Sequence, residues 1–156
     1  MHIHGYAWLG EKADFDQDSL RRPPGPAPTP SSPPEVAERH RRATTEFPVT
    51  EIPPIQTAHW LLKPPPLVRG TWYEPKEAGE WLAQRLAEFA PRFSTAAEHE
   101  TARHDRLVRA AVERLATGRD VSLGHYLRGT LFHSLALVTC SPNGTHPHIR
   151  CPAPDR

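Results

Sequence analysis

Residues 120–139 read DVSLGHYLRGTLFHSLALVT, and the fold turns on whether this stretch is one helix or something else. Leu123, Leu127, Leu131 and Leu135 recur at steps of four and Val138 follows at a step of three, which is the spacing of one helix face. Tyr126, Thr130 and Leu137 flank that stripe. The pattern predicts a helix from near Asp120 or Ser122 to about Thr139, broken afterwards by Ser141-Pro142-Asn143-Gly144. A competing strand reading covers only the LALVTC run at 135–140.

Two further helices are expected upstream. Pro75 suits a first helical position, Glu77 sits in the positive first turn, and Ala78, Trp81, Leu82, Leu86 and Phe89 share one face up to a stop at Pro91. Thr95-Ala96-Ala97-Glu98 has the form of a capping box, in which hydroxyl and carboxylate each satisfy an orphan amide. The inner face after it runs Ala97, Thr101, His104, Val108, Ala111 and Leu115, and Gly118 offers a left-handed cap. The expected fold is mainly α: a small three-helix domain over 75–140, preceded by a proline-rich, largely disordered N-terminal region and short extended segments.

Composition supports that division. Nineteen prolines in 156 residues exceed the usual share, and seven of them lie between Pro23 and Pro34. The expected organisation is a short N-terminal segment with a possible strand (1–18), a proline-rich disordered linker (19–47), an extended aromatic arm (48–74), the helical domain, and a flexible polar tail (141–156). Formal net charge is +1, so no global field drives the chain onto nucleic acid or anionic lipid. The first residues lack a basic region followed by an apolar core, and no apolar run is long enough to span a bilayer. The chain reads as a cytoplasmic protein with reduced cysteines.

Candidate chemistry is sparse. The tail CSPNGTHPHIRC places Cys140, His146, His148 and Cys151 within twelve positions, two thiols and two imidazoles of the kind tetrahedral zinc accepts. All four lie on one short loop, however, so the metal would have to supply the folding energy itself. The same two cysteines would be bridged only in an oxidising compartment. His99 and His104 bracket a sequence one residue longer than His-Glu-x-x-His, which puts the imidazoles about 140° apart on a helix and excludes a metalloprotease site. His2-Ile3-His4 reads as a terminal coincidence with weak surface affinity for metals. No glycine-flanked serine elbow and no glycine-rich phosphate loop is present, so no catalytic constellation is identified and an enzyme is not expected.

Three functional expectations follow. The first is a small non-enzymatic accessory protein that binds a protein partner or itself, with Trp60, Trp72 and Tyr73 as aromatic anchors. The second is a helix-turn-helix DNA-binding regulator built on 106–136. There Ser122, His125 and Arg128 would face the major groove, and Arg103, Arg106 and Arg114 would meet phosphates. The third is a zinc-stapled protein using the tail cluster.

Overall fold

In the computed structural model, which describes residues 1–153, the decisive stretch is a hairpin rather than a helix. Strand β3 (Val121–Tyr126) turns back into β4 (Leu131–Cys140), with His125 opposite His133 and Val121 opposite Leu137. A step of four residues is ambiguous in principle, because any even step also keeps side chains on one face of a strand. Leu123 and Leu135 satisfy that alternation and pack on the same core. The glycines decide locally. Gly129 turns the chain at φ +85°, a conformation that interrupts a helix, and Gly124 leaves room for the Phe132 ring, which a Cβ there would meet at 2.5 Å.

The first residues supply the hairpin's partner. Strand β1 (His2–Glu11) pairs antiparallel with β4 along its whole length, from His2 opposite Cys140 to Glu11 opposite Leu131. A short β2 (Gly70–Trp72) pairs with the other edge of β1 at Ile3, His4 and Gly5, giving the order β2-β1-β4-β3. The expectation of a mainly α, three-helix domain is thereby corrected to a four-stranded antiparallel sheet carrying helices. The N-terminus is one of the two inner strands of that sheet and is not disordered.

Helices do form where the other two apolar stripes place them. After a four-residue α1 (Lys12–Phe15) and an exposed α2 (Pro34–Glu46), α3 runs over Pro75–Phe89 and α4 over Thr101–Ala116. No side-chain cap forms at Thr95; a 3-10 turn at Ala96–His99 precedes α4 instead. Gly79 of α3 abuts Val112 of α4, where a Cβ would lie 2.5 Å from a valine methyl. Together α3 and α4 cover one face of the sheet, joining Leu82, Leu86, Ala111 and Leu115 to Ile3, Leu135 and Leu137.

The opposite face carries the even-numbered residues of β1. Tyr6 stacks on Trp60, ring centroids 4.7 Å apart, and the two pack with Leu61, Ala136, Val138 and Cys140. The proline-rich part of the chain therefore forms a second layer. Arg21 anchors it, donating from Nε to the Pro53 carbonyl at 2.8 Å, and its guanidinium lies over Phe15. Lys63 is buried beneath it, donating from Nζ to the carbonyls of Phe47 and Thr50 at 2.9 Å each. Desolvation pushes that ammonium down to about 8. Among the described residues no helix is long and apolar enough to cross a membrane.

Candidate metal centre

Strand alternation builds the site. His2 and His4 are two residues apart on β1 and so share a face, and Cys140 is the register partner of His2 across β4. The fourth group arrives from outside the sheet. The tail after β4 folds back over this face, with Ile149 and Cys151 packed against the cluster that contains Tyr6, Val138 and Cys140. Ligand-capable atoms of His2, His4, Cys140 and Cys151 all lie within 4.8 Å of one another.

The individual edges are tighter. His2 Nε2 is 3.1 Å from His4 Nε2, and Cys151 Sγ is 3.3 Å from His4 Nε2 and 3.4 Å from His2 Nε2. A tetrahedron with zinc bonds of about 2.0 Å to nitrogen and about 2.3 Å to sulfur has edges of about 3.3 to 3.8 Å. The three edges among His2, His4 and Cys151 are within a few tenths of an ångström of that shape, and Cys140 lies within 4.8 Å of each of them. His2, His4 and Cys140 are buried, and both cysteines are free thiols.

The tail is held by a polar hub, not left loose. Asn143 is almost fully buried, and its Nδ2 donates to both Asp120 carboxylate oxygens at 3.1 and 3.0 Å and to the Thr139 carbonyl at 2.8 Å. Its Oδ1 accepts from the backbone amides of Thr145 and His146 at 3.0 and 2.9 Å. This hub fixes the exit angle from β4 and so directs Cys151 back over the sheet.

Around the cluster, Thr71 of β2 lies 2.8 Å from His4 Nδ1 through its hydroxyl oxygen, leaving Nε2 to face the other three groups. Burial, reinforced by His2, pushes the His4 imidazole down to about 4, so it is a neutral ligand at neutral pH. Burial pushes the Cys140 thiol up to about 11. Tyr6, one further even position along β1, has a buried hydroxyl without a hydrogen-bond partner, and burial, then Cys140 and Cys151, push its ionisation to higher pH. Both perturbations describe a pocket that disfavours free negative charge and would be relieved by a cation at the thiols.

The sequence-based ligand set is thus divided. Cys140 and Cys151 come together, while His146 and His148 lie outside the cluster, with their rings 5.9 Å apart and His146 5.2 Å from His59. In their place stand His2 and His4, whose two-residue spacing is the strand signature of a shared face.

The DNA-reading residues lose their frame. Arg103, Arg106 and Arg114 lie on α4, but Ser122 and His125 are on β3 with opposite parity, so they face opposite sides of the sheet. His125 is buried, stacked on Phe93 at 4.4 Å, and Arg128 sits in the hairpin turn with its amide bonded to the Arg92 carbonyl. A recognition helix does not exist in 120–139. Of the aromatic anchors, Trp60 is buried against Tyr6 and Trp72 packs on Trp81 at 5.3 Å, while Tyr73 is exposed with its ring 5.9 Å from His2. No protein-family model, no curated protein and no solved structure matches the chain.

Proposed function

We propose that this chain is a non-enzymatic zinc-binding protein in which His2, His4, Cys140 and Cys151 hold one ion that staples the tail to the centre of the sheet. The observation that carries the reading is the convergence of two imidazoles and two thiols, from three separate segments, on a volume the size of one tetrahedral ion. Four protein ligands leave no coordination position for water or substrate, which is the pattern of a structural site and not of a hydrolytic one. Two thiols with two imidazoles favour zinc over magnesium or calcium, which take oxygen ligands.

The full chain, produced without an affinity tag and supplied with zinc, is expected to retain about one equivalent through gel filtration. His2→Ala, His4→Ala, Cys140→Ser and Cys151→Ser each lower that content, whereas His146→Ala and His148→Ala leave it unchanged. Substitution by cobalt gives the visible absorption of a tetrahedral, thiolate-ligated ion. Wild-type protein that holds less than about half an equivalent, or equal loss from the His146 and His148 variants, would overturn the assignment.

A further inference from the structure

Past the end of β2, the outer edge of β1 has no strand beside it among the described residues. β2 accompanies β1 only as far as Gly5, where the Arg69 amide donates to the Gly5 carbonyl at 2.8 Å. Backbone groups alternate sides along a strand. Gly5 points outward, and the Lys12 amide points the other way, toward the Thr130 carbonyl at 2.9 Å. The N–H and C=O of Ala7 and Leu9 therefore project from the outer edge, and among the described residues no strand pairs with them.

That edge forms one wall of a cavity of about 360 Å³. Trp81, Arg85, Glu88 and Phe89 of α3 form another wall, and Arg69 closes the end next to β2. Leu9 is 40% exposed beside it. Arg85 pairs with Glu88 at 2.9 Å, yet its Nε is buried without a hydrogen-bond partner. His133, 2% exposed and stacked on Phe89 at 4.0 Å, also lines the cavity and has an unpartnered Nδ1. Unpaired edges are normally blunted by a charge, a proline or a covering loop, and Ala7 and Leu9 supply none of these.

We propose that the open edge at Ala7 and Leu9 is a docking slot for an extended acidic peptide segment of a partner protein, which adds as a strand in line with β2. The backbone groups of Ala7 and Leu9 supply the ladder, Trp81 and Phe89 take an apolar side chain, and Arg69 and Arg85 take carboxylates. Arg69 and Arg85 outnumber the lone Glu88, so the slot favours an anionic strand. A second copy is disfavoured because it presents the same Arg69 and Arg85 cations and not the carboxylates that would pair with them.

The test uses the zinc-loaded full chain and a fluorophore-tagged, acetylated hexapeptide alternating glutamate with valine. Saturable binding below about 1 mM is expected, weakening with salt and by about fivefold or more in Arg69→Gln/Arg85→Gln. The matching glutamine–valine peptide binds more weakly, and Ala7→Pro, which removes an outward donor without touching the β4 ladder, abolishes binding while zinc content is retained. Should Ala7→Pro not fold, amide exchange in the wild type decides: the peptide must slow exchange at Ala7 and Leu9. Absence of saturation, equal binding of the neutral peptide, or unchanged exchange at both amides overturns the proposal. A reversible dimer that competes with the peptide also overturns it, assigning the edge to a second copy.

Discussion

Thr71 Oγ1 lies 2.8 Å from Nδ1 of His4, and the two residues are register partners across β2 and β1. The shortest strand of the sheet thus sets which nitrogen of an inner-strand histidine faces the cysteines. A metal-ligating imidazole is oriented by what its other nitrogen bonds, and loss of such partners typically costs 10- to 100-fold in affinity. Thr71→Val is expected to lower zinc affinity by about that factor, measured by competition with a chromogenic chelator, with no change in far-UV dichroism. Unaltered affinity would mean that Thr71 is a bystander.

Zinc uptake should acidify the solution. The Cys140 thiol, pushed up to about 11 by burial, carries its proton at neutral pH and must release it to become a ligand. His4, held down to about 4, is already neutral and contributes none. Adding zinc to metal-free protein in weak buffer should release about one proton or more per ion, read with an indicator dye. In Cys140→Ser the release should shrink. No release would show that the thiols are not ligands.

Asn143 is the pivot of the tail, and its replacement leaves several buried groups without partners. Asn143→Ala removes donors to Asp120 and to the Thr139 carbonyl, and the acceptor of the Thr145 and His146 amides. Each stranded buried group costs about 1 to 3 kcal/mol, so a loss of about 3 kcal/mol is expected in urea unfolding. Zinc affinity should fall as well, because Cys151 is no longer aimed at the sheet. A variant that loses stability but keeps full zinc affinity would separate the hub from the site.

His133 should make stability fall in mild acid. Burial first, then His125, Arg92 and Arg85, push its imidazole down to about 4 from an unfolded value of 6.5. Between those two values the unfolded chain binds a proton that the folded chain refuses, so stability rises with pH from about 4 to about 6.5. Cooling of stability toward pH 4 should approach about 3 kcal/mol for this residue, since each unit is about 1.4 kcal/mol. Urea midpoints of wild type and His133→Gln across this window check the sign; parallel curves would assign the slope to other groups, His4 among them.

Much of the helical half was legible. Pro75, Glu77 and the stripe through Leu82 and Leu86 mark α3, and the stripe through His104, Ala111 and Leu115 marks α4, because each helix buries one face and its period is written locally. The 121–140 hairpin was not legible, since leucines at steps of four obey both the helix and the strand period. Gly124 and Gly129 are the only local marks of the turn and close approach, and the long partner of β4 lies more than a hundred residues away, at His2–Glu11. Proline content is deceptive in the same way: residues 19–47 lack their own periodicity and read as disordered, although Arg21 bonds the Pro53 carbonyl and the buried Phe47 packs against Lys63.

By itself the sequence determined the inventory: two thiols near the end, two imidazoles at alternate positions near the start, two amphipathic helices, and neither a glycine-flanked serine elbow nor a glycine-rich phosphate loop. Which of the ten histidines meet the cysteines was decided only by the tertiary structure. The reason is geometric. A loop of twelve residues leaves Cys140 and Cys151 no fixed separation, whereas antiparallel register places His2 directly across from Cys140, and the Asn143 hub then returns Cys151 to the same face.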